Sequence, residues 1–150
     1  MFERFRARAR RRAGMTLLVL VSLLVAFAAA TPTPASNAAI VVPFEKQWVG
    51  PGHYVGTAGD GGTIEMFVSD SWFPGNVQQF TARLELSLGG ASLTAILEGR
   101  FNFSTARVVL NGVITDGWLK GAQVHEESRL TGLDPLTFAG SVQLMPASAD

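Results

Sequence analysis

The chain has 150 residues, 47% of them hydrophobic and 16% charged, which suits one globular domain and is too apolar for the bulk of the chain to be disordered. Twelve basic residues balance twelve acidic ones. Yet Arg4, Arg6, Arg8, Arg10, Arg11 and Arg12 all precede residue 31 with only Glu3 against them, so the remainder holds six basic and eleven acidic residues. That acidic remainder argues against a nucleic-acid binder, which needs a basic face to neutralise phosphates, and the lack of cysteine excludes disulfides, thiolate nucleophiles, Cys-ligated zinc and lipid attachment at a lipobox cysteine.

Residues 2–12 form an arginine-studded leader, and residues 15–30 (MTLLVLVSLLVAFAAA) are an apolar run ending in small side chains. This three-part order predicts a secretory signal over residues 1–30, with Ala28 and Ala30 fitting an A-x-A cleavage site. As a helix the run spans about 24 Å, short of the roughly 30 Å hydrocarbon core, which favours cleavage over an uncleaved anchor. Either way the domain is expected outside the cytoplasm, in the cell envelope or secreted. Membrane attachment is expected only if the segment stays on. Residues 31–38 (TPTPASNA) read as a flexible spacer, poor in large apolar side chains, leaving residues 39–150 as the folded domain.

From residue 39 onward apolar positions alternate with period two, and no helical spacing is sustained. The expected fold is all-β. Residues 40–49 suggest a strand, limited in pairing by Pro43 and so placed at an edge. Residues 54–58 and 63–69 follow, joined by Gly59-Asp60-Gly61-Gly62, and a Pro74-Gly75 loop comes next. Residues 80–99 then form the clearest hairpin. Turning on Gly89-Gly90, it sets Leu86 opposite Leu93, Leu84 opposite Ala95, Ala82 opposite Leu97 and Phe80 opposite Gly99, with Glu85, Arg83 and Thr81 on the other face. A second hairpin is predicted to turn on Asp116-Gly117, pairing Val113 with Lys120, Gly112 with Gly121, Val109 with Val124 and Arg107 with Glu126. Residues 136–145 supply a last strand after a Gly132 to Pro135 connection. Seven or eight antiparallel strands in a meander, with no helix to cover a dry face, predict closure into a small barrel.

The segment Thr115-Asp116-Gly117-Trp118-Leu119-Lys120-Gly121-Ala122, preceded by Asn111-Gly112 and followed a strand later by Phe138-Ala139-Gly140, resembles the G-x-[aromatic or Leu]-x-G-A hairpin of small secreted barrels related to allene oxide cyclase and dirigent proteins. The resemblance implies an antiparallel barrel with an internal cavity. Such motifs fix a tight turn and a close backbone approach, so they imply no particular chemistry.

Few residues suggest catalysis. The two histidines, His53 and His125, lack metal-ligand spacing, and neither a G-x-S-x-G nucleophile elbow nor a phosphate loop occurs, so no metal, nucleotide or other cofactor is expected. Asn102-Phe103-Ser104 matches a glycosylation sequon. Strand alternation places Gln123, His125 and Glu127 on one face, and in the Asp116-Gly117 register that face turns inward beside Leu110 and Val108. Inside, a His beside a carboxylate can bind a polar group or act as an acid-base pair. A bulge that reverses parity would instead leave the three in solvent with Ala122 and Val124 inside. Trp72 and Phe73 precede the Pro74-Gly75 loop, where large aromatics either rim a ligand mouth or fold back to plug the barrel end. Trp48, Tyr54 and Trp118 read as core or barrel-end packing, and Glu126 as the surface partner of Arg107. Together these features predict an exported, non-catalytic barrel that binds a small, partly apolar molecule or an envelope partner. The alternative is an isomerase- or cyclase-like barrel using an interior His125–Glu127 pair.

Overall fold

The computed structural model describes residues 38–146. The expected signal segment, and all but the last residue of the spacer, lie outside the described residues. Eight strands follow in chain order: β1 (Ile40–Gly50), β2 (His53–Ala58), β3 (Gly62–Trp72), β4 (Val77–Leu88), β5 (Ala91–Asn102), β6 (Arg107–Gly117), β7 (Gln123–Leu133) and β8 (Leu136–Met145). Each is antiparallel to the next, and β1 pairs with β8 to close an eight-stranded barrel. No helix occurs among the described residues.

Closure removes the edge that Pro43 was expected to mark. β1 is paired on both sides, while the carbonyl of Pro43 accepts from Gly59 N at 2.8 Å, just where β2 ends. N–H and C=O of one residue point to the same side of a strand, so the donor that proline lacks falls beyond β2 and costs the ladder little.

The β4–β5 hairpin has the expected register at every pair from Leu88↔Ala91 to Phe80↔Gly99, with Gly89 and Gly90 at φ 55° and 88°. Its inner face of Phe80, Ala82, Leu84, Leu86, Leu93, Ala95 and Leu97 is buried. Gly99 has no side chain because the ring of Phe80 lies where a Cβ would project.

The β6–β7 hairpin departs from expectation. Gly117 takes a positive φ of 79°, but the chain does not turn there: Asp116 and Gly117 stay paired with Thr94 and Leu93 of β5, and Trp118 N donates to Ser92 O. A Cβ on Gly117 would collide with that same carbonyl, so its glycine serves close approach rather than a two-residue turn. The chain reverses through residues 118–122, with Leu119 at φ 59° and Ile114 exchanging hydrogen bonds with Gly121 and Ala122. Val113 therefore pairs with Gln123 instead of Lys120, Gly112 with Val124 instead of Gly121, and Val109 with Glu127 instead of Val124. The slip is three residues. An odd slip exchanges the two faces of β7.

The four connections at one end, residues 51–52, 73–76, 103–106 and 134–135, surround the barrel mouth. At the other end the interior is sealed by Leu88, by Leu119 from the 118–122 loop and by Ile40, all packed on the core. The outer wall is mixed and polar, with Glu45, Glu65, Arg83, Glu98, Asn111 and Arg129 facing out, the reverse of a membrane-spanning barrel.

Candidate functional site

The faces of β7 decide where the chemistry lies. Val124, Glu126 and Ser128 point inward and are buried, whereas Gln123 is exposed and His125 and Glu127 sit half-exposed on the outer wall. The inward polar strip expected of Gln123, His125 and Glu127 is therefore corrected to an outer strip, the parity-reversed arrangement. On that wall His125 Nδ1 contacts Asn111 Oδ1 at 2.7 Å and Nε2 lies 3.3 Å from Glu127 Oε1, which also accepts from Arg107 Nη2 at 2.7 Å. The hydrogen bond from His125, then that from Arg107, holds the Glu127 carboxyl below its ordinary value. Arg107 thus pairs with Glu127 and not with Glu126.

Glu126 is in the interior, fully buried, with its Oε1 2.6 Å from Lys46 Nζ, itself 2% exposed. Both come from strands flanking β8. On β1 the series Val42, Phe44, Lys46 is the inward face, and on β7 the series Val124, Glu126, Ser128 is its counterpart. The ammonium also lies 3.3 Å from Met66 Sδ and 4.8 Å from the centre of the Phe44 ring, and Ser128 Oγ donates to Glu126 Oε1 at 3.4 Å. Glu126 Oε2 has no protein partner. Backbone approach is close on both sides of this layer: a Cβ on Gly56 would strike Glu45 and Lys46, and one on Gly140 would strike Glu127 and Ser128.

Above the pair, on the side of the mouth, is a cavity of about 30 Å³ lined by Lys46, Ser128, Tyr54, Met66, Phe101 and Phe138 among others. Tyr54 meets Phe138 edge-on at 5.8 Å and Phe101 meets Phe138 at 5.6 Å, so the walls are aromatic. Burial raises the Tyr54 hydroxyl above its ordinary value. From Phe101 the rings continue outward to Phe103 at 4.7 Å and on to Phe73 at 6.3 Å.

Trp72 and Phe73 are 52% and 61% exposed, so they rim the mouth and do not plug it. Trp48, expected to be packed, is exposed at the same rim, and Trp118 is exposed at the opposite end; only Tyr54 keeps the barrel-end role. Lys46 was missed although Val42-Phe44-Lys46 places it on the apolar face by simple alternation. No cluster of metal-ligating side chains occurs among the described residues.

No protein-family model matches the sequence, and neither a curated protein nor a solved structure matches it. The resemblance to allene oxide cyclase and dirigent-like barrels rests on Thr115–Ala122 with Asn111-Gly112 and Phe138-Ala139-Gly140, and on the hairpin order.

Proposed function

We propose that the chain is an exported, non-catalytic binding barrel whose guest is a small, partly apolar molecule carrying one hydrogen-bond donor. The observation that carries this reading is Glu126 Oε2, buried without a hydrogen-bond partner beside Lys46 in a mainly apolar interior. A buried ion pair adds little net stability compared with apolar residues of the same volume, so its presence calls for another reason. Recognition of a polar group is that reason: Lys46 and Ser128, which touch Glu126, line the cavity, so a guest donor that passes them satisfies Oε2 while Tyr54, Phe101 and Phe138 take the apolar remainder. The cavity, about 30 Å³, holds little more than a water, so a guest larger than that must displace the aromatic wall of Phe101 and Phe138. With His125 and Glu127 outside, an interior acid-base role would fall to Lys46 and Glu126.

Phenol and toluene, two rings differing in one donor, test the reading by NMR titration. Phenol is expected to shift the signals of Phe101, Phe138 and Ser128 at concentrations where toluene does not, and to lose that advantage in Lys46→Met/Glu126→Leu. Absence of any interior shift with either compound up to its solubility would overturn it. The export half is tested by N-terminal sequencing from the native host, where a start near Thr31 is expected and an intact chain in the membrane fraction would show an anchor.

A further inference from the structure

Among the described residues ten large apolar side chains are substantially exposed, and six of them, Trp48, Val49, Trp72, Phe73, Phe103 and Leu133, gather at the mouth end. They come from all four connections or the strand residues leading into them, so they form a ring around the opening. Among the connection residues themselves, 51–52, 73–76, 103–106 and 134–135, the only charge is Asp134. Two indoles stand on this ring, and amphipathic indoles favour the boundary between headgroups and hydrocarbon.

Below the ring three arginines cluster on the neighbouring strands β5, β6 and β7, while Asp70 on β3 and Asp134 are the exposed acids at this end. Arg107, the first residue of β6, pairs across the sheet with Asn102 on one side and with Arg129 on the other, and Arg100 lies two residues down β5, about 7 Å along the strand. All three are exposed. Glu127 neutralises Arg107, whereas no ion pair of Arg100 or Arg129 occurs among the described residues. Arg129, directly opposite the Glu127-paired Arg107, keeps a charge that an external anion can meet. Arg107, Glu127 and Arg129 border a groove floored by Ala139 and Gly140, open for such an anion.

We infer that the mouth end docks on a phospholipid bilayer, with Trp48, Trp72, Phe73, Phe103 and Leu133 entering the interface while Arg100 and Arg129 meet headgroup phosphates. Aromatic and aliphatic tips three to four strand residues, roughly 10–13 Å, beyond Arg100 and Arg129 match the order of layers in a leaflet, where hydrocarbon lies beneath phosphate. The polar outer wall limits contact to this end. The inference stands apart from the interior guest, since it uses none of the cavity residues.

The three tryptophans supply the test, because Trp48 and Trp72 are at the ring and Trp118 is at the far end. Residues 15–30 of the full chain can themselves enter vesicles, so the readout must be which tryptophan touches lipid rather than whether the chain binds. With mixed phosphatidylcholine and phosphatidylglycerol vesicles containing brominated chains, the variant retaining only Trp72 (Trp48→Phe/Trp118→Phe) is expected to shift its emission to the blue and be quenched. The variant retaining only Trp118 (Trp48→Phe/Trp72→Phe) is expected to do neither. Equal quenching of both, or none of Trp72, overturns the inference, as does a dimer that buries Trp72 without lipid, which would assign the ring to a second copy. Added to the variant retaining only Trp72, Arg100→Gln/Arg129→Gln should raise roughly thirtyfold the vesicle concentration that half-quenches Trp72, at about 1 kcal/mol per arginine. Unchanged Trp72 quenching would overturn the phosphate contact.

Discussion

The barrel interior has two halves of opposite character. Towards the sealed end, Ile64, Leu84, Leu86, Leu93, Ala95, Leu97, Ile114 and Leu144 are at most 3% exposed and form continuous hydrocarbon. Towards the mouth the same barrel holds an ammonium, a carboxylate, a hydroxyl, a thioether and a small cavity. Close packing of the first half provides cohesion that the second does not need to provide. Side chains in the mouth half are thus released from the requirement that governs the rest of the core, and a costly ion pair persists there.

That contrast can be broken most severely by removing one charge. Lys46→Met alone, or Glu126→Leu alone, leaves its partner buried without a counter-ion and should cost about 3–5 kcal/mol in urea denaturation. The double variant Lys46→Met/Glu126→Leu should recover wild-type stability or exceed it, since two well-packed apolar side chains replace the pair. Leu84→Ala, in the sealed half, should cost about 2–5 kcal/mol with nothing nearby able to restore it. Trp72→Ser and Phe73→Ser should stay within about 0.5 kcal/mol of wild type, because neither side chain is buried.

The smallest effect expected is electrostatic and lies on the outer wall. The folded-state value of Glu127 is lowered, so its stabilising contribution is present above the ordinary carboxylate value, near about pH 4.3, and is lost as pH falls through the lowered one. Carboxyl NMR titration should find Glu127 below the ordinary glutamate value, and Asn111→Ala with His125→Ala should move it up. A Glu127 value unaltered by loss of His125 would contradict the hydrogen bond that orders this strip.

How much of this is legible without coordinates differs between the two glycine-marked hairpins. At Gly89-Gly90 the turn chemistry agrees with alternation on both faces, and a slip of one residue would bury Glu85 and Arg83, so a single register survives. At Asp116-Gly117 the dipeptide has two physical uses, a tight turn or a close approach to a neighbouring strand, and composition does not separate them. The deciding feature is the positive φ of Leu119, which an L residue with a branched side chain rarely adopts and which no sequence pattern announces. Packing of Leu119 onto the sealed end accompanies that conformation. From this one local choice followed the inversion of β7, the outward placement of Gln123, His125 and Glu127, and the inward placement of Glu126. Lys46 was different, since alternation with Val42 and Phe44 was visible; a lysine on an apolar strand face is easily read as a gap in the pattern rather than as half of a pair whose other half lies eighty residues away.

Ile40 and Leu144 are register partners in β1 and β8 at the sealed end. Strand partners lie only about 5 Å apart between Cα atoms, so the two extremities of the folded domain are neighbours on the face remote from the opening. A short glycine-rich splice should therefore join them, and the ring can be reopened at Gly89-Gly90, also on that face, to give a circular permutant that keeps every mouth connection intact. The same geometry means that a resin, a fluorophore or a carrier domain fused to either extremity holds the barrel by its base, with the opening presented outward.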